Sequence, residues 1–232
     1  MKNYDCVSKL KEVNTNEHYE DFFELLEKIG EGAHAVVYRC ISRSTGEERA
    51  IKLSKRKDEE LINGMRECYH IMRELKHPNI IKGEFLFLDE KKISCQMVTE
   101  LCKYPELKEF LMDTRKKRER ITEEKVAQII SCLLNCLVYL QSKGVCHRDL
   151  KPDNILYNPM TGDIKIIDFE ISRIQRYEDE KLDLWSNTGS LFYRAPESFR
   201  GGYSTEIDVW AVGIIAYEML IGELPFTSDY EQ

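Results

Sequence analysis

Apolar positions along this chain change their spacing from stretch to stretch. Residues 1 to about 20 are polar and lack a clear period, which reads as a flexible or loosely docked arm. From Phe22 the apolar positions close up. Phe22–Ile29 is expected as a strand, Gly30-Glu31-Gly32 as a tight turn, and Ala35–Ile41, with Val36, Val37 and Tyr38, as a second strand. After the polar turn Ser42–Glu47 comes a short strand, Ala50-Ile51-Lys52-Leu53. The spacing then becomes helical: Leu61, Met65, Cys68, Ile71, Met72 and Leu75 mark one face of a helix from about Asp58 to Leu75. His77-Pro78-Asn79 ends it, because proline disfavours helix at the residue before it. Two more strands are expected, Ile80-Ile81 into Phe85–Leu88 and then Ile93–Thr99, with a lobe boundary at Glu100–Lys103.

Beyond that boundary the pattern is helical at first. Glu106–Met112 reads as a short helix, and Thr122 as the N-cap of a long apolar helix, Val126–Ser142, stopped by Gly144. Ile155–Tyr157 and Ile164–Ile167 flank the turn Asn158–Asp163 and read as a hairpin. A polar segment runs from Glu170 to Gly189, and Asp208–Leu220 is a strongly apolar helix.

Composition narrows the classes. At 232 residues the chain can hold one large domain or two small lobes. Its 42% hydrophobic and 32% charged residues fit a soluble globular protein. A net charge of −7 argues against a general nucleic-acid binder. One basic run, Arg115-Lys116-Lys117-Arg118 followed by Glu119-Arg120, reads as a solvated loop, with partner docking as the second reading. No apolar run approaches the ~18–20 residues of a membrane span, and the N-terminus has no signal-peptide core, so an intracellular, cytoplasmic protein is expected, the nucleus included. The eight cysteines include no C-x-x-C pair and read as small buried hydrophobes of a reducing compartment. Cys132 and Cys136 lie one helical turn apart, without the nearby histidines a zinc site would need.

The densest chemistry lies in Cys146–Leu156, C-H-R-D-L-K-P-D-N-I-L. Pro152 lacks an amide proton and fixes φ, so no regular helix runs through the middle and the polar groups sit on a bent loop entering a strand. Asp149 is placed to accept a proton from a hydroxyl, Lys151 to neutralise a phosphate, and Asn154 to hold a divalent cation through its oxygen. The glycines at 30 and 32 let backbone amides approach an anion closely. Behind that turn, Lys52 becomes a candidate phosphate ligand, and Glu67 on the following helix its candidate partner.

Taken together, G-E-G-A-H-A-V-V, A-I-K, H-R-D-L-K-P-D-N, D-F-E and A-P-E resemble the motifs of eukaryotic protein kinase catalytic domains, from about Phe23 to Phe226. The resemblance implies an α+β, two-lobed protein kinase-like fold. Residues 1–21 would be an arm, 22–99 a small antiparallel sheet lobe with one helix, 100–103 a hinge, and 104–232 a larger, mostly helical lobe lacking its last helices. It also implies ATP and Mg2+ as cofactors. Ile29, Gly30, Gly32, Val37, Ala50 and Leu156 would surround the nucleotide. Lys52, paired with Glu67, would hold its phosphates; Thr99 would be the gatekeeper, Glu100–Cys102 would bind adenine, and Glu106 would sit near the ribose and the substrate peptide. Asp149 would be the catalytic base, Lys151 would steady the γ-phosphate, and Asn154 and Asp168 would hold magnesium.

Lys151 and Gly189-Ser190 resemble the serine/threonine branch, with Ser186 and Thr188 as phosphorylation candidates. The wider pattern is similar to the calcium/calmodulin-dependent group. The implied activity is transfer of the γ-phosphate of Mg-ATP to a serine or threonine of a protein substrate; the alternative is a non-catalytic, ATP-binding, pseudokinase-like interaction module. Nucleic acid and membrane are not among the implied partners.

The chain departs from the family pattern in places. Glu170 replaces a glycine, which would cost about 1–2 kcal/mol if its φ were positive. Glu67 lies one residue further from His77 than is usual. The helices that follow Leu224-Pro225-Phe226 in the family are missing, which would leave Glu197 without its arginine and the 208–220 helix with an uncovered face, open to a partner.

Overall fold

The computed structural model describes residues 11–13, 18–32, 35–55, 59–89, 94–174, 191–199 and 204–226. The expected turn residues Ala33 and His34, the helix start at Asp58, Ile93, and Ser186, Thr188 and Gly189-Ser190 lie outside the described residues. The chain divides into two compact units: Met1–Lys76 with Ile81–Cys102, and His77–Ile80 with Lys103–Gln232.

The first unit is a sheet with one long helix. Its elements are β1 (Lys11–Val13), α1 (Tyr19–Phe22), β2 (Phe23–Glu31), β3 (Ala35–Ser42), β4 (Glu48–Ser54), α2 (Glu59–Glu74), β5 (Gly83–Asp89) and β6 (Ser94–Glu100). The strand order is β1-β5-β6-β4-β3-β2. Every pairing is antiparallel except that of β1, which lies parallel to β5 with Lys11 opposite Phe85. Neither that edge strand nor α1 was expected from the polar N-terminal arm. Phe23, Cys40, Ile51, Phe87 and Val98 form a core on the sheet, with Phe22 and Tyr19 packed against it. The helix buries Met65, Cys68, Ile71 and Met72 of the expected apolar row, together with Tyr69, and Leu75 is buried just past its end. Gly83 makes the close approach of helix and sheet feasible, since a Cβ there would lie 3.1 Å from Met72 Cβ.

The second unit contains α3 (Leu107–Lys117), α4 (Glu123–Ser142), β7 (Val145–Cys146), β8 (Ile155–Tyr157), β9 (Ile164–Ile166), β10 (Arg173–Ile174) and α5 (Ile207–Ile221). Thr122 caps α4, its hydroxyl accepting the Lys125 N–H at 3.3 Å, and Gly144 follows the helix at φ 65°. The third helical residue is Lys125 rather than an acid, so this is a simple hydroxyl cap and not a reciprocal capping box. α4 is long and apolar enough, by length and composition, to cross a bilayer, although polar residues such as Gln128, Ser131 and Asn135 interrupt its apolar run. It buries Val126, Ile129, Leu133, Cys136, Leu137 and Leu140 and packs against α5.

Three expectations change here. α3 extends five residues past Met112, so Arg115, Lys116 and Lys117 form its last turn instead of a loop; cations there complement the partial negative charge of a helix C-terminus. Glu197 is exposed, so the cost of an unpaired buried charge does not arise. Glu170 is not among the described residues with positive φ; the left-handed residue of that segment is Asp168, at 65°. On α5, Val209, Tyr217, Leu220 and Ile221 are exposed.

Candidate active site

The loop between β7 and β8 is built on a buried acid that pattern reading missed. Asp208, at the start of α5, is fully buried, and its carboxylate accepts the backbone N–H of His147 at 2.6 Å and that of Arg148 at 2.8 Å. Burial pushes its pKa above the ordinary value. These bonds hold Arg148 at φ 72°, a conformation a non-glycine residue keeps only when its surroundings impose it. The buried His147 side chain fixes the next turn: Nδ1 accepts the Asp149 N–H at 3.3 Å, so the ring proton sits on Nε2, which donates to the Ile167 carbonyl at 3.0 Å. The only local hint of this arrangement was a charged residue opening an otherwise apolar helix.

On this frame the polar residues converge. Lys151 Nζ donates to Asp149 Oδ2 at 2.8 Å. Pro152 opens a single 3-10 turn, Pro152–Asn154, in the first position where its missing N–H costs nothing. Asn154 is buried, and its amide nitrogen donates to the Asp149 carbonyl at 2.8 Å and to Asp149 Oδ2 at 3.0 Å. Both amide protons are thereby used, and the side-chain oxygen accepts no hydrogen bond among the described residues. An oxygen held that way is a ready ligand for a hard cation.

The segment carrying Asp168 is tied to this loop. Ile155 pairs with Ile166 across β8 and β9, and the Ile167 N–H donates to the Asn154 carbonyl at 3.0 Å, so Asp168 starts one residue beyond that anchor. Phe169 is buried edge-on against the His147 ring, centroids 4.7 Å apart. Arg148 Nη1 donates to the Ile171 carbonyl, and the Ser172 hydroxyl to the His147 carbonyl. Tyr193 and Ala195 share the wall of a small void with Asp149, and the Tyr193 hydroxyl donates to Glu218 at 2.6 Å. Glu106 occupies the N-cap position of α3 without a side-chain capping bond, and its backbone bridges to Leu156. Burial first, then Asp153 and Glu109, raise its pKa.

The remaining expected residues lie in the first unit. Gly30 pairs with Val37, Val37 with Lys52, and Lys52 with Met97, a row across four strands. Ala50 pairs with Thr99, two residues along from Lys52 and Met97. Since directly opposed residues share a sheet face and side chains alternate with a period of two, Val37, Ala50, Lys52 and Thr99 lie on one face. Gly32 N–H closes the turn onto Ala35 at 2.9 Å, and Ile29 is exposed. Thr99 donates to the Glu100 carbonyl, Glu100 Oε1 accepts the Lys82 N–H, and Cys102 is half-buried at the end of the unit. Glu67 lies on the exposed side of α2, while its neighbour Cys68 takes the buried position.

Among the described residues no group of three or more His, Cys, Asp or Glu side chains is arranged to hold a metal alone. Magnesium commonly uses one or two carboxylates together with substrate phosphates, and the freed oxygen of Asn154 with the carboxylate of Asp168 suits that mode.

Comparison with known proteins agrees with this geometry. Calcium-dependent protein kinase 2 of Arabidopsis thaliana is 35% identical over 224 residues, 93% of this chain and 33% of that protein. Calcium-dependent protein kinase 5 of Plasmodium falciparum is 35% identical, covering 91% of this chain and 36% of its own length. Calcium/calmodulin-dependent protein kinase type IV of Mus musculus is 37% identical over 209 residues, 89% of this chain and 42% of that protein. The chain thus spans between 33% and 42% of the length of these curated relatives. The family described as protein kinase domain matches residues 23–232. With that match running from β2 to the last residue, the chain belongs to the protein kinase domain family.

Proposed function

We propose that this chain transfers the γ-phosphate of ATP to a serine or threonine hydroxyl of a protein substrate. The observation that carries the reading is the convergence on Asp149: Lys151 and Asn154 both donate to its Oδ2, at 2.8 and 3.0 Å, while Asn154 keeps its own oxygen free of donors among the described residues. The kinase names of its relatives add support.

In this reading Asp149 orients the acceptor hydroxyl and takes its proton as the new P–O bond forms and the bond to ADP breaks. Lys151 is placed to offset charge on the transferring phosphoryl group. Lys52, in line with Gly30 and Val37, holds the α- and β-phosphates; Ala50 and Thr99 on the same face meet the adenine side. Asn154 and Asp168 would hold Mg2+, which when bound would offset the negative charge that develops on the phosphates. Most of the barrier reduction comes from positioning, about 7–11 kcal/mol in well-oriented systems.

The test is transfer of labelled phosphate from ATP to a generic protein substrate, followed by phosphoamino-acid analysis, beside thermal melting with and without Mg-ATP. Phosphoserine or phosphothreonine is expected. A melting shift with no turnover would point instead to a binding module, and no shift for folded protein would count against nucleotide binding altogether.

A further inference from the structure

The basic run Arg115–Arg120 plays no part in the loop chemistry, and a cavity of about 220 Å3 opens beside it. Leu111, Ile121, Met219 and Ile221 supply its apolar lining, and two cations, Arg115 and Arg120, share the wall with two carboxylates, Glu119 and Glu218. Small-molecule sites usually span about 300–1,000 Å3, so this space suits one large apolar side chain better than a whole cofactor. Ile221 is 60% exposed and Leu220 45%, so the apolar surface continues outward.

The charge here opposes that of the chain. Five of the six residues from 115 to 120 are cationic, all are exposed, and the chain as a whole carries −7. Arg115 is committed to Glu218 at 2.8 Å, and Lys116 lies 3.9 Å from Asp113. Lys117, Arg118 and Arg120 make no ion pair among the described residues. The helix C-terminus accounts for cations in the last turn of α3, but Arg118 is the left-handed cap and Arg120 lies past it. Glu218, the buried carboxylate of the lining, is already satisfied by Arg115 and Tyr193. That leaves Glu119 as the one anion of the run.

We propose that this cavity and its basic rim dock a short acidic segment of a partner protein. One apolar side chain enters among Leu111, Ile121 and Ile221, and the carboxylates on either side of it pair with Lys117, Arg118 and Arg120. Burial of the apolar anchor supplies affinity, and charge complementarity supplies selection, since the chain's net negative charge disfavours acidic peptides elsewhere. A nucleic acid would use the cations but has no need of the apolar hole.

Fluorescence anisotropy on the full chain tests this, with the probe fluorescein-Glu-Glu-Leu-Phe-Glu-Glu; the readout needs no phosphate transfer. Saturable binding is expected, weakening as salt rises. Replacing Leu-Phe in the probe by Gly-Ser, or Ile221→Asp in the protein, should each weaken binding about tenfold. The double variant Lys117→Glu, Arg120→Glu should also weaken it by about tenfold, with an unchanged circular dichroism spectrum because both side chains are exposed. The proposal is overturned by an absence of saturable binding, or by equal binding of the Gly-Ser probe together with insensitivity to Ile221→Asp, which would mean bare ionic attraction. Displacement of the probe by a short oligothymidylate would assign the surface to nucleic acid. A dimer in sedimentation that Ile221→Asp dissociates would assign it to a second copy of the chain.

Discussion

Replacing Asp208 by asparagine removes the strut beneath the loop while nearly preserving shape. The carboxylate accepts two backbone N–H groups, from His147 at 2.6 Å and Arg148 at 2.8 Å. Asparagine offers one oxygen; its NH2 would face the other N–H and cannot accept from it. One charge-assisted hydrogen bond, about 1.5–3 kcal/mol, is lost, and a buried donor is left unmatched at about 1–3 kcal/mol. In the other direction, a neutral amide avoids the cost of burying an ion, which is the largest influence on this carboxyl. The balance is a destabilisation of about 2–3 kcal/mol, read by urea unfolding followed by circular dichroism. The loop suffers more than the average, because Arg148 at φ 72° relaxes once its anchor goes. Asp149 then turns away, and phosphate transfer falls about a hundredfold.

The same substitution has a pH signature. The native pKa of Asp208 is raised above its ordinary value of 3.8. Between those two values the native protein binds more protons than the unfolded chain, so stability is lost as pH rises through the window. The asparagine variant lacks this group, so the stability gap between the two proteins widens as pH falls into the window. An unfolding free energy within about 0.5 kcal/mol of wild type, or a gap that narrows on acidification, refutes the reasoning.

Other outcomes follow from single contacts. Asn154→Ala removes the candidate metal oxygen and both donors to Asp149; the Mg2+ concentration needed for half-maximal transfer should rise at least about tenfold, and an unchanged Mg2+ titration would show that Asn154 is no ligand. Gly83→Val places a side chain against Met72, where Cβ alone would lie 3.1 Å away, and should cost about 1–3 kcal/mol in urea unfolding; wild-type stability would show that α2 moves freely over the sheet. Burial pushes the Cys40 thiol up to about 11 and Cys136 up to about 12. In the native protein near pH 8, iodoacetamide should therefore label half-buried Cys102 and Cys132 well before either, as read by peptide mass mapping; equal rates would mean the core opens locally.

Much of the candidate site was legible because its residues are neighbours in sequence. Asp149, Lys151 and Asn154 lie within one turn of a proline-interrupted loop, so their convergence is a local consequence of Pro152 and of the β8 strand that follows. The long helix was bracketed by Thr122 and Gly144 for equally local reasons. The support beneath the loop was not legible, since Asp208 is some 60 residues away and acts on backbone N–H groups, which leave no trace in side-chain pattern. Arg148 shows the same limit: nothing in its identity announces a left-handed backbone imposed from another helix. The run at 115–117 looked like loop because its charges hide the helical period, whereas at a helix end those charges are favoured. The edge strand Lys11–Val13 is too short and polar for period-two reasoning to find.

The most direct measurement compares the wild-type chain with Asp149→Asn in transfer of labelled phosphate from Mg-ATP to a generic protein substrate, with melting curves showing both folded. If Asp149 takes the hydroxyl proton, the variant should lose at least about a hundredfold in rate while its melting shift with Mg-ATP persists. Equal rates in the two proteins would contradict that role for Asp149.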